Sequence, residues 1–184
     1  GNERGRIIAQ GAARVGAHYK VARVPVIKQQ SISAYDPRVI EVTGISMMIT
    51  AQGADHTAGN LPLFDCKDKT TAELVAASLG VQTVFAAADS LGLCIFGRSV
   101  TNVSAELIVT ALNDAHGTKL DTSFMQTLGL ETLRNEWAFN KAAGFTEKDD
   151  ELPEFFYTEA LAPSGKTARH YSAEVNRSMR ELLA

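Results

Sequence analysis

Three short segments of this 184-residue sequence carry side chains able to do chemistry. The first, Gly53-Ala-Asp-His-Thr-Ala-Gly59, sets a histidine among small residues between two glycines, so that backbone or a ligand can approach closely. An imidazole there can act as acid or base near neutral pH, and Asp55 could orient it or shift its titration. An Asp/His turn at a helix end explains the same residues, and on the residues alone that turn is the default. The second, Asp89-Ser-Leu-Gly-Leu-Cys94, places a thiol just beyond a glycine suited to end a helix in a left-handed turn. Such a thiol can face a cluster or a metal, but one thiolate holds neither without partners. Without a ligand, Cys94 is a small apolar residue and Asp89 a capping or surface group. The third, Ala34-Tyr-Asp-Pro-Arg38, reads as a helix start in which Asp36 caps and Arg38 reaches an acidic neighbour.

Other reactive residue types carry less. Cys66 has no CxxC context, lies too far from Cys94 for a chelating pair by spacing, and reads as a loop or packing residue. His18 and His116 fall near expected helix C-termini, where an imidazole suits the helix dipole, and neither is given a functional role. Trp137 with Leu130, Leu133 and Phe139 reads as core packing rather than a cofactor box.

The elements that must position these groups are mostly helices. Residues 6–18 carry Ile7, Ile8, Gly11 and Val15 at helical spacing. Val24-Pro-Val-Ile27 is extended, because Pro25 forbids a continuing helix. Asp36-Pro37 pairs an N-cap with a proline at the first helical position. Thr70-Thr-Ala-Glu73 is a capping box, and the apolar, alanine-rich stretch behind it predicts a long helix over 71–91 buried on more than one side. Ser104 opens a helix that Gly117 closes, Asp121 opens one that Gly144 closes, and Ser172 starts a last helix running to the chain end. Residues 145–171 lose all periodicity, and Thr146–Pro153 should be an exposed, turn-rich connection. The expected fold class is all-α, an irregular multihelical bundle.

Composition narrows the function. With 45% apolar and 21% charged residues, the chain has the balance of an ordinary globular protein. A net charge of −3 and a pI near 5.8 argue against bulk attraction to nucleic-acid phosphates. No basic run suggests an anionic membrane surface, and polar residues break each apolar stretch before a bilayer could be spanned. The first residues, with Glu3, Arg4 and Arg6, do not form a signal peptide. Two cysteines are too few for a disulfide framework, so the expected location is a reducing cytoplasm.

In order along the chain, Val24-Pro-Val-Ile-Lys28, Ala34-Tyr-Asp-Pro-Arg38, Gly53-Ala-Asp-His56, Asp89-Ser-Leu-Gly-Leu-Cys94 and Asn140-Lys-Ala-Ala-Gly-Phe-Thr146 resemble the C-terminal half of aldehyde ferredoxin oxidoreductases. Asp149-Asp-Glu-Leu-Pro153, then Glu159-Ala-Leu-Ala-Pro163 and Gly165, are similar to the same family, and Asp-x-x-Gly-Leu-Cys is the strongest piece. The resemblance implies an enzyme that oxidises an aldehyde to a carboxylic acid with water and passes two electrons to ferredoxin. It implies tungsten, or molybdenum, held by the dithiolenes of two pterins, with a four-iron four-sulfur cluster beside one of them. Carried onto this sequence, Asp89 hydrogen-bonds a pterin ring, Leu93 lines that pocket, Cys94 ligates iron, and His56 handles the proton near the metal. Residues 1–184 would then be the C-terminal helical region, either one unit or two interleaved lobes.

Expected partners are an N-terminal β domain and a preceding helical part of the same enzyme, ferredoxin and a small aldehyde. A second copy could cover an apolar face, and no nucleic acid or membrane is expected. The family's CxxCxxxC run and first pterin aspartate motif are absent here, so the chain alone is expected to be inactive and to hold no cofactor. Two alternatives stand beside this reading: a related bis-pterin enzyme acting on a hydroxycarboxylate or an aromatic thioester, and a cofactor-free helical binding module.

Overall fold

The computed structural model describes residues 1–97 and 104–183. Helices dominate, and one two-stranded hairpin is the sheet among the described residues, in agreement with an all-α bundle. The architecture is organised around α4 (Thr71–Ser90), which packs against α3 (Glu41–Ile49), α6 (Ser123–Ala142) and α8 (Ser172–Leu183). The capping box starts α4 as its sequence requires: Thr70 Oγ1 accepts from the Glu73 amide, and the Glu73 carboxylate accepts from the Thr70 amide. At 20 residues α4 is matched in length by α6, but only α4 is buried along most of its course. It is long and apolar enough to cross a membrane by composition, yet it lies inside the protein among other helices.

The core joins Val42, Ile45, Met47 and Met48 of α3 to Leu74 and Val75 of α4 and Val175 of α8. Burying each such side chain stabilises the fold by about 1.5–3 kcal/mol. Within this apolar centre, Ser46 Oγ lies 2.6 Å from Ser78 Oγ and Gln82 Nε2 donates to Ser78 at 2.9 Å, which pairs these three groups, while Gln82 Oε1 is buried without a partner among the described residues. Gly129 lets α6 approach α4, since a Cβ there would lie 2.0 Å from the Thr83 carbonyl oxygen.

Several predicted boundaries move. Residues 6–18 form two helices, α1 (Glu3–Ile8) and α2 (Ala12–Tyr19), because Gly11 adopts φ +86° between them. Pro37 does not open a helix: residues 36–40 make a turn in which Val39 and Ile40 both donate to the Asp36 carbonyl, and α3 begins at Glu41. Beyond Pro25 the extended segment becomes a hairpin, β1 (Val26–Ile27) with β2 (Gln30–Ser31), antiparallel. Its turn residues Lys28 and Gln29 both take positive φ, matching the right-handed strand twist.

Helix α5 (Ala105–His116) runs between Ser104 and a left-handed Gly117 as predicted. Asp121 opens α6 by accepting from the Ser123 amide at 2.8 Å. Within α6 the expected core group divides: Leu133 is buried and Trp137 donates to the Ile49 carbonyl at 2.7 Å, but Phe139 is 72% exposed on the outer face. The aperiodic stretch holds a short helix, α7 (Phe155–Thr158), and sends Leu152, Phe156, Ala168 and His170 into the interior. Helix α8 starts at Ser172 as predicted, and Ala184 lies outside the described residues.

Candidate functional site

His56 begins a short 3-10 turn, His56–Ala58, that follows Asp55. The Asp55 carboxylate is engaged in the turn, accepting from the Thr57 amide and from Thr57 Oγ1, each at 2.8 Å. It therefore does not orient the imidazole, whose Nδ1 stands 3.9 Å from Asp55 Oδ1. The half-exposed His56 ring lies instead against Tyr35, with centroids 5.4 Å apart and planes tilted by 33°. The two glycines of the segment are needed by close packing. Gly53 has φ +72° with the Ile27 carbonyl oxygen 3.3 Å from its missing Cβ, and a Cβ at Gly59 would meet Gln82 of α4 at 2.7 Å.

The Asp89–Cys94 segment closes α4. Gly92, at φ +68°, lets its own amide donate to the Asp89 carbonyl and lets Leu93 donate to the Ala88 carbonyl, both at 2.9 Å. This is the two-bond Schellman ending, and it satisfies carbonyls that the helix end would leave open. It leaves the Asp89 side chain at the helix end with no hydrogen bond or ion pair among the described residues. The partial burial of its carboxyl and the negative charge of Asp55 hold Asp89 above the usual carboxylate range. Burial and the Asp89 charge act likewise on Glu136 of α6, one of whose oxygens is buried without a partner. The loop that carries His56 and the end of α4 thus come within electrostatic reach of each other.

Cys94 is an exposed free thiol, and Cys66 is also free, half-buried and donating weakly to the Phe64 carbonyl. The two residues after Cys94, Ile95 and Phe96, share the wall of a cleft of about 550 Å³ with Tyr35 and His56. Leu93 takes another direction. It lines a mainly apolar cavity of about 370 Å³ with Thr83, Ala87, Ala88 and Met125, between α4 and α6. Among the described residues no three His, Cys, Asp or Glu side chains converge as a metal site. As donors, however, the single groups suit larger ligands. An unpaired carboxylate can accept paired N–H groups from a heteroaromatic ring, and a free thiol can give one soft ligand to iron.

Arg38 of the third segment is structural. It is 5% exposed, forks onto both Asp36 oxygens at 2.9 and 2.7 Å, donates to the Glu159 carbonyl, and lies over the Phe156 ring. Burial pushes the Asp36 carboxyl upward, and the hydrogen bonds from Arg38 more than reverse this.

Two residues escape a reading of the sequence. Tyr35 lies within the third segment but becomes a neighbour of His56 only through the fold. His170 comes from the aperiodic stretch and carries no local signal. It is 5% exposed, with Nδ1 2.9 Å from Thr71 Oγ1 and Nε2 3.7 Å from Glu41, beyond hydrogen-bond reach.

Among the described residues an imidazole, a carboxylate and a thiol thus stand without strong partners, on the His56 loop, at the end of α4 and in the turn that follows it. A model of the family described as aldehyde ferredoxin oxidoreductase, domains 2 and 3, matches residues 1–184, and the chain belongs to that family. The chain is also similar to the tungsten-containing aldehyde ferredoxin oxidoreductase of Pyrococcus horikoshii. The two are 27% identical over 176 residues, covering 90% of this chain and 28% of the relative's length.

Proposed function

We propose that this chain is the part of an aldehyde-oxidising enzyme that contributes the proton-handling imidazole, one pterin contact and one iron ligand. The carrying observation is that His56 and the residues following Cys94 wall one cleft in a chain of this family. A cofactor-free binding module gives no reason for that arrangement, nor for an Asp89 carboxylate that lies beside Asp55 without a hydrogen bond or ion pair among the described residues.

The overall reaction takes an aldehyde and water to a carboxylic acid, two protons and two electrons. The aldehyde C–H bond breaks, a C–O bond forms with oxygen derived from water, and the electrons leave for ferredoxin. When bound, the tungsten–pterin group with its cluster supplies the two-electron redox chemistry that no side chain can. The residues of this chain bind and position. Asp89 accepts N–H donors from the pterin, which offsets its uncompensated charge. Leu93 gives apolar contact at the same turn. Cys94 provides a single thiolate to iron, and the other ligands come from elsewhere in the enzyme. His56, half-exposed and held by the Tyr35 ring rather than by Asp55, takes a proton as the new C–O bond forms.

The test is a dye-linked assay of the cofactor-loaded enzyme with small aldehydes, with tungsten and iron measured on the same sample. Carboxylate produced with reduction of the dye is the expected result. A loaded protein that oxidises no aldehyde, but turns over an aromatic thioester or a hydroxycarboxylate, would replace this reading with one of the related chemistries.

A further inference from the structure

Asn60 lines the same cleft as His56, on the loop that follows the His56–Ala58 turn. None of the described residues lining that cleft is Lys or Arg, so negative charge arising on a bound molecule meets no permanent cation there. N–H and O–H donors must meet it instead. Thr57 is not among them, because its hydroxyl already donates to Asp55 at 2.8 Å. The Tyr35 hydroxyl, the His56 ring and the Asn60 amide remain. Tyr35 and His56 are held through their rings, with centroids 5.4 Å apart.

Only the Asn60 amide has its direction set by a hydrogen bond among the described residues. Its Oδ1 accepts from Thr43 Oγ1 at 3.1 Å, and its N–H₂ makes no hydrogen bond among those residues. Thr43 stands in α3 at 0% exposure, and Asn60 is the one hydrogen-bond partner of its side chain there. A buried hydroxyl has to place its hydrogen on an acceptor, and here that acceptor is the amide oxygen. Turning the amide over would set N–H against the hydroxyl and strand the hydroxyl hydrogen. The oxygen end is thus committed to α3, and the N–H₂ end is what Asn60 has left to offer the cleft. A donor aimed beforehand needs no reorientation when charge develops in front of it.

We propose that Asn60 is a catalytic residue of the aldehyde oxidation, its N–H₂ donating to the carbonyl oxygen, with Thr43 as the positioning residue that aims it. As the water-derived oxygen bonds to the carbonyl carbon, the π pair of the C=O bond moves onto the carbonyl oxygen. Asn60 stabilises that charge, and the proton shed by the incoming oxygen goes to His56. The C–H bond then breaks, its hydrogen leaving as a proton and its two electrons passing to ferredoxin, and the C=O bond re-forms. The proposal rests on the oxidoreductase reading above and adds a residue to the same site.

Two measurements on the cofactor-loaded enzyme test it separately from that reading. In a dye-linked assay with acetaldehyde, Asn60→Ala should lower kcat by roughly 10²–10³-fold, the usual loss for one such donor, at parent tungsten and iron contents. Asn60→Asp keeps the shape and the bond from Thr43 but sets an acceptor where the N–H₂ stood, and should lose at least as much. Thr43→Val should lower kcat by less, and Thr43→Ser, which keeps the hydroxyl, should leave it near the parent value. The second measurement is the infrared carbonyl band of bound acetophenone labelled at its carbonyl carbon, a ketone with no aldehyde C–H bond to lose. Asn60→Ala and Thr43→Val should each raise its frequency, and Thr43→Ser should not. A band unmoved by Asn60→Ala, or a kcat unchanged by both Asn60 substitutions, overturns the proposal. A band that moves with Asn60 in a loaded enzyme that oxidises no aldehyde would instead overturn the reaction assigned above and leave Asn60 as a carbonyl donor.

Discussion

The imidazole of His56 lies against the phenol ring of Tyr35, 5.4 Å between centroids and tilted by 33°, while its sequence neighbour Asp55 is committed to Thr57. What fixes the ring plane is therefore packing by a residue from a distant loop and not a hydrogen bond from the adjacent carboxylate. In the cofactor-loaded enzyme, His56→Ala should lower kcat by roughly 10²–10⁴-fold, the usual range for a lost acid or base. Tungsten and iron contents should stay at parent levels. Assay and metal analysis of one preparation check both, and a loss of metal in step with activity would assign His56 to cofactor retention.

Cys94→Ala should have the opposite profile. Its thiol is exposed and unbonded, so the fold should survive, with an unchanged far-ultraviolet circular dichroism spectrum. Iron content should fall sharply, and the visible absorption of the cluster with it. Cys66→Ala, the other free thiol, should leave iron unaffected.

His170 predicts a pH dependence of stability. Burial, then the nearby Arg169 charge, push its titration below the ordinary 6.5, against the opposing pull of Glu41 and Glu174. Between the folded value and 6.5 the unfolded chain binds more protons, so stability rises with pH across that window. The contribution is fully present above about 6.5, as for any histidine buried neutral, and is lost as pH falls through the folded value. Melting curves between pH 5 and 8 should show this slope in the parent and a shallower one in His170→Asn. Equal slopes would show that His170 does not carry it.

Gly129→Ala should destabilise the protein even though it raises helix propensity. The added Cβ would fall 2.0 Å from the Thr83 carbonyl oxygen, a backbone atom that can move only by separating α4 from α6. A loss of about 1–3 kcal/mol is the usual range for overpacking. Denaturant unfolding measures it, with Gly80→Ala, where no atom lies within 4 Å of the new methyl, as the control.

Features set by local backbone chemistry were legible in the residues alone. Thr70 with Glu73, Ser104 with Gly117, and Gly92 at the end of α4 each satisfy orphan amides or carbonyls within a turn, so their sequence spacing is sufficient. The alanine-rich stretch between Thr71 and Ser90 declared itself buried for a similar reason, since it has no polar face to turn to water. Local chemistry also misled. Gly11 was compatible with a helix by spacing but took a positive φ, and Asp36-Pro37 closed a turn because two amides share the Asp36 carbonyl.

The site divides the same way. The sequence alone determined that Asp89, Gly92 and Cys94 would form a helix-ending turn, and that a histidine would stand in a loop of small residues. Only the tertiary structure decided that Tyr35 holds that histidine, that Asp55 confronts Asp89, that Leu93 faces a cavity separate from the cleft at His56, and that His170 is buried beside Thr71. These relations join stretches with no shared period, and side-chain spacing along one stretch carries no information about which other stretch will cover it. They follow from how α4 is packed between α3, α6 and α8, a balance of many weak apolar contacts that no single segment encodes.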